Sequence, residues 1–88
     1  MYMYILVHGG EQTEGAYAVL DKNGNKVLFF FEEEDDAERY AMMLYADEEI
    51  PLRLIEVNFP TAVKTCVENG YKYSVITAGD IVIPPKTE

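Results

Sequence analysis

Near the amino terminus the chain is apolar on both sets of alternating positions. In residues 1–7 Tyr2 and Tyr4 oppose Met3 and Ile5, and in residues 27–31 Phe29 and Phe31 oppose Leu28 and Phe30. A strand of this kind exposes apolar side chains on whichever face is left bare, so both faces of its sheet need a cover. Only 88 residues are available to supply that cover. The length suits one domain, residues 1–88, with a thin core.

The rest of the chain reads as short elements separated by turn signals. Gly9-Gly10 stops the first run, and Asp21-Lys22-Asn23-Gly24-Asn25 joins strands predicted over 16–20 and 27–32. Asn-Gly supplies the positive φ angles of a tight hairpin turn. Ala37, Tyr40, Ala41 and Leu44 then recur at helical spacing within 33–48. Glu33, Glu34, Asp35 and Asp36 suit the positive end of that helix, and Asp35 and Arg39 are spaced to pair. Pro51 stops the helix before a strand over 52–57. Asn58-Phe59-Pro60 starts a second helix with a capping side chain and a first-turn proline, and Ala62, Val63, Cys66 and Val67 form its inner face. Asn69-Gly70 ends it. A strand over 71–76, a turn at 78–80 and a short strand or arm at 81–83 complete the order, with Pro84-Pro85 blocking central pairing beyond.

That order predicts an α+β two-layer sandwich: a mixed sheet of four to six strands with both helices on one face, a ferredoxin-like variant. Each strand–helix–strand step should cross over right-handed if its strands are parallel in one sheet. With only two helices on one face, the other face stays open, and a second copy or another protein is expected to cover it.

The charge of −9, from sixteen Asp and Glu against seven Lys and Arg, opposes a phosphate backbone. Direct nucleic-acid binding is therefore not expected. No early apolar run of about 18 residues suggests a membrane span or signal peptide, and a single cysteine makes no internal disulfide. A reducing cytoplasmic compartment fits these features. The charge is also uneven: residues 32–49 hold nine acids and one base, and the remainder seven acids and six bases.

Candidate chemistry is sparse. His8-Gly9-Gly10 resembles an oxyanion-hole stretch, but the only serine, Ser74, lies in no nucleophile elbow and His8 is the only histidine. Asp21, Asn23, Asn25 and Glu32 match calcium-loop spacing, yet position six is Lys26 rather than glycine and strands flank the loop. Cys66 shares the inner face of its helix, so packing explains it. Neither a catalytic residue, nor a metal ligand, nor a cofactor is therefore assigned. Glu33, Glu34, Asp35, Asp36 and Glu38 fan around a helix and suit a basic protein partner better than a metal. Met42 and Met43 point away from the inner stripe and offer adaptable apolar contacts. As an alternative, Gly9, Gly10 and Glu14 would border a small-ligand pocket, the glycines by close backbone approach and the carboxylate by fixing an amine.

Several segments together resemble a known family. They are Gly10-Glu11 to Glu14-Gly15, then Phe31-Glu32-Glu33-Glu34-Asp35-Asp36-Ala37-Glu38-Arg39-Tyr40, then Cys66 with Gly70-Tyr71, and Gly79 ahead of Pro84-Pro85. The family is a small cyanobacterial and plastid one, DUF3110-like, with cyanophage relatives, and is described only as a domain of unknown function. The resemblance covers nearly the whole chain, and its most specific part is the acidic-Ala-x-Arg-Tyr segment. After Leu44 the chain departs from the family pattern, with Tyr45-Ala46-Asp47-Glu48-Glu49 in place of a more neutral stretch. The resemblance implies a cyanobacterial or phage-infected cytoplasm and carries over no catalytic residue. The sequence as a whole points to a noncatalytic interaction or regulatory module that docks a basic protein surface through its acidic helix, or alternatively to a ligand sensor.

Overall fold

A computed structural model describes residues 1–8 and 15–78. Its elements run β1 (Tyr2–His8), β2 (Ala18–Leu20), β3 (Lys26–Phe31), α1 (Glu34–Glu48), β4 (Leu52–Asn58), α2 (Phe59–Glu68) and β5 (Lys72–Ile76). The fold is α+β, with one five-stranded sheet and two helices. The strand expected at 81–83 lies outside the described residues, as does most of the turn at 78–80. Among the described residues no helix is long and apolar enough to cross a membrane.

The pairings give the strand order. β1 lies antiparallel to β4 from Tyr2↔Asn58 to His8↔Leu52, and meets β3 at Tyr4↔Phe31. β5 runs parallel to β3 from Val27↔Lys72 to Phe31↔Ile76. Leu28 pairs with Ala18 of β2 and with Tyr73 of β5, so these two lie on opposite edges of β3. β2 therefore shares an edge of β3 with β1, a placement that the Val7↔Ala16 bridge supports. Across the sheet the order is β4, β1, β3, β5, with short β2 inserted beside β1. The sheet is mixed, as expected.

The helices do not share a face. Met3, Ile5, Leu28 and Phe30 form one buried cluster with Cys66 of α2, and Phe59, Ala62 and Val63 pack against it. Leu6, Phe31 and Ile76 form the other with Ala37 and Tyr40 of α1. Successive strand residues thus go to opposite helices, giving helix, sheet, helix rather than a two-layer sandwich. The expected ferredoxin-like arrangement, with two helices on one face, is corrected accordingly. The physical reason is chain direction. The step from β3 through α1 to β4 crosses β1 one way, and the step from β4 through α2 to β5 crosses back. Two crossovers of the same hand running in opposite directions place their helices on opposite faces. This also removes the reason for expecting a second copy over an open sheet face.

Local signals account for the element ends. Asn58 caps α2: its Oδ1 accepts from the Thr61 backbone N–H at 3.2 Å and from the Thr61 hydroxyl at 3.0 Å. Gly70, at φ +73, takes the left-handed conformation that follows the helix. The β2–β3 turn differs from expectation. Only Gly24 has positive φ there, and Asp21 organises the loop, its Oδ1 accepting from the backbone of Asn23 at 2.8 Å and Asn25 at 2.9 Å.

Candidate functional site

α1 has two faces with different chemistry. Inward, Ala37, Tyr40 and Leu44 are buried at 1% exposure or less, and the Tyr40 ring packs against Phe29 and Phe31 at centroid distances of 5.8 and 5.7 Å. Outward, Glu33, Glu34, Asp35 and Glu38 are all exposed. Glu33 is the N-cap residue without a side-chain capping bond, and the acids in the first turn of α1 are Glu34, Asp35 and Asp36. They face the positive end of the helix, which favours carboxylates there.

The expected Asp35–Arg39 pair is replaced by Asp36–Arg39 at 2.9 Å, one turn apart at i, i+3. Asp36 is thereby half-buried and partnered, whereas Asp35 stays exposed. The reason is rotational: at 100° per residue, Asp36 and Arg39 are also neighbours on the helix surface.

The two methionines separate. Met42 is 71% exposed, while Met43 is half-buried. Asp35, Glu38, Arg39, Met42, Met43 and Ala46 surround a shallow depression of about 500 Å³ on the outer face of α1. Tyr45, 58% exposed, is the residue that sequence reasoning missed. Its signal was present in the spacing, since it lies three positions after Met42. Asp35, Glu38, Met42, Tyr45 and Glu49 follow one another at alternating steps of three and four, which aligns them along one helix stripe. Two apolar side chains thus sit at its centre with carboxylates at either end.

The other candidates are placed as follows. Gly9, Gly10 and Glu14 lie outside the described residues. His8 is half-buried and packs edge-on against the Tyr17 ring, with centroids 5.7 Å apart. Asp21 is committed to the turn. Hydrogen bonds from the backbone of Asn25, then of Asn23, hold its carboxyl below the usual value, and Lys72 lies 3.8 Å away. Cys66 is 5% exposed, and burial raises its thiol pKa, so it packs as core. Among the described residues, no three His, Cys, Asp or Glu side chains converge as a metal site would require.

A second concavity lies on the opposite side of the sheet. Between α2 and the strands is a groove of about 510 Å³, with Ile5, Leu28, Val57 and Cys66 among its apolar lining and Asn58 and Asn69 among its polar lining.

No curated protein and no solved structure matches the chain. A family model does, from residue 3 to residue 86, and it takes in both helices and every strand but the first residue of β1. The chain therefore belongs to the family described as Domain of unknown function (DUF3110).

Proposed function

We propose that this domain is a noncatalytic interaction module whose outer α1 stripe docks a basic, amphipathic segment of a protein partner in a cytoplasmic setting. The observation that carries this reading is the exposure of Met42 at 71% and Tyr45 at 58% on the stripe that also bears Asp35, Glu38 and Glu49. Aromatic and methionine side chains are enriched at protein interfaces, and carboxylates at the rim steer a basic partner toward them. From residue 35 to residue 49 the stripe runs about 21 Å at 1.5 Å per residue, the length of a four-turn partner helix. The complementary segment has an apolar centre with Lys or Arg at each end.

The test is fluorescence anisotropy with a labelled 18-residue helical peptide carrying two central leucines and lysines at both ends. Asp35→Lys with Glu38→Lys should weaken binding at least tenfold at 50 mM salt. Asp36 is left in place because it holds Arg39. At 500 mM salt, where screening shortens the reach of exposed charges, most of the difference between this variant and the parent should vanish. Met42→Ala with Tyr45→Ala should weaken binding at both salt concentrations. Unchanged affinity in both variants, each with a parental circular dichroism spectrum, overturns the reading.

A further inference from the structure

The two faces of the sheet are packed to different degrees. On the α1 side, the cavity beside Tyr40 measures about 10 Å³, the scale of a single water. On the α2 side the groove measures about 510 Å³. The α2 groove is open to solvent, with Asn58, Thr61, Thr65 and Asn69 exposed along it, so it is a surface cleft rather than an interior void. α1 buries Ala37, Tyr40 and Leu44, whereas α2 fully buries Cys66 alone. The volume of the groove falls within the ordinary range for small-molecule sites, roughly 300–1,000 Å³.

The lining says what chemistry fits. No ionised side chain is among the described lining residues. A ligand with a formal charge would lose its hydration without gaining a counter-ion, which is costly. Much of the polar capacity at the lining is already used within α2. Asn58 Oδ1 accepts from Thr61, the Thr65 hydroxyl donates to the Thr61 carbonyl at 3.1 Å, and Asn69 Nδ2 donates to the Thr65 carbonyl at 2.8 Å. The Asn58 amide NH₂ and the Asn69 amide oxygen, at the two ends of α2, and the Tyr71 hydroxyl are further polar groups of the lining. The rest of the lining is mostly hydrocarbon, from Ile5, Ala16, Leu28, Val57 and Ala62, with the Cys66 thiol held neutral by burial.

From this geometry we infer that the α2 groove binds a neutral, mostly hydrocarbon small molecule with a carbonyl or hydroxyl end. The site lies on the opposite face of the sheet from the proposed docking stripe and is independent of it. The ligand lies along α2, its apolar body over Ile5, Leu28 and Val57 and its polar end at an asparagine.

Cys66 is the only cysteine and lines the groove at 5% exposure, so it is labelled when α2 opens from the sheet, and an occupant that holds the groove closed slows that labelling. The experiment uses the full 88-residue chain with four probes of one chain length: 1-decanol, 2-decanone, decanoate and decylamine. Two readouts are taken, the melting temperature and the rate at which a soluble aromatic disulfide labels Cys66 in the native state. The two neutral probes should raise Tm by several degrees in a saturable manner and slow labelling at least fivefold. The two charged probes should produce less than a fifth of either effect. Ala62→Leu, which fills the groove, should abolish the response. Thr65→Phe at an exposed lining position should do the same if the first variant folds poorly. Met42→Ala, on the other face, should leave the response intact.

Three results would each overturn the inference. One is the absence of a saturable effect from either neutral probe. Another is an equal effect from the charged probes. The third is a labelling rate that falls with protein concentration alone, because a second copy of the chain would then be the occupant.

Discussion

Replacing Tyr40 with Phe should stabilise the protein. The side chain is 1% exposed, and its hydroxyl oxygen makes no hydrogen bond among the described residues. A buried polar group without a partner costs about 1–3 kcal/mol of desolvation. Phe keeps the ring and with it the packing on Phe29 and Phe31. It opens little new space beside the existing cavity of about 10 Å³. At about 24 cal/mol per Å³ of cavity, even a void twice that size costs only about 0.5 kcal/mol. The net gain is about 1–2 kcal/mol. For a domain of this size each kcal/mol corresponds to about 4–8 °C in Tm, so a rise of about 5–15 °C is expected. Urea titration and thermal melts followed by circular dichroism measure both quantities.

The same variant should also change the alkaline limb. Burial, first of all, raises the Tyr40 phenol above its ordinary value of 10.0, and burial and Glu48 raise Tyr17 in the same direction. A folded state that holds these protons more tightly than the unfolded state loses stability as pH rises above about 10. Tyr40→Phe should flatten that loss. A destabilisation of 1 kcal/mol or more at pH 7 would refute the reasoning, because it would mean that the hydroxyl is hydrogen-bonded, for instance to a water in the small cavity.

Three further outcomes follow from the element ends. Asn58→Ala removes the cap of α2 and should cost about 1 kcal/mol in urea unfolding, with Asn58→Ser recovering most of it. Glu49, the one non-glycine residue with positive φ among those described, sits at φ 56, so Glu49→Gly should stabilise by about 0.5–1 kcal/mol while weakening peptide docking. The Asp21 carboxyl is held below its usual 3.8, so its contribution is complete above that pH and disappears as pH falls through the lower folded value. Asp21→Ala should therefore be less stable than the parent at pH 6, and the gap should narrow below pH 3.5.

What was legible in the sequence was local. The helix over 34–48, the Asn58 cap and the glycine after α2 each depend on residues within one turn of one another, and each is found within a residue of its expected place. The alternation of Leu28 and Phe30 with Phe29 and Phe31 was equally plain. Its consequence, a helix on each face, is not legible there because it depends on strand order, a nonlocal property. Once β1 is known to lie between β3 and β4, and β5 on the far side of β3, the crossover rule leaves no other arrangement for right-handed connections. The α2 groove was illegible for a related reason. How far a helix stands from a sheet depends on small residues such as Ala62 and Cys66 meeting Ala16 and Ile5 from distant parts of the chain.

The carboxyl end of α1 carries the strongest argument that the helix serves more than the fold. Acids near that end oppose the helix dipole at about 0.3–1 kcal/mol each, and the left-handed conformation of Glu49 adds about 1–2 kcal/mol. The last turn has no basic residue to offset them. α1 tolerates this because burying Tyr40 and Leu44 contributes about 1.5–3 kcal/mol each. Packing thus exceeds the local penalty, but it does not explain why the penalty is there. Lysines at 47 and 49, with glycine tested separately at 49, would stabilise the isolated domain on electrostatic grounds. A basic partner reverses that preference at Glu49, which ends the stripe beyond Met42 and Tyr45 and there gains a counter-charge, whereas Asp47, about 200° around the helix from Tyr45, lies off the stripe. Asp47→Lys with Glu49→Lys should accordingly raise Tm while weakening the basic peptide. If the variant raises Tm and binds the peptide as well as the parent does, the carboxyl-terminal acids have no part in docking.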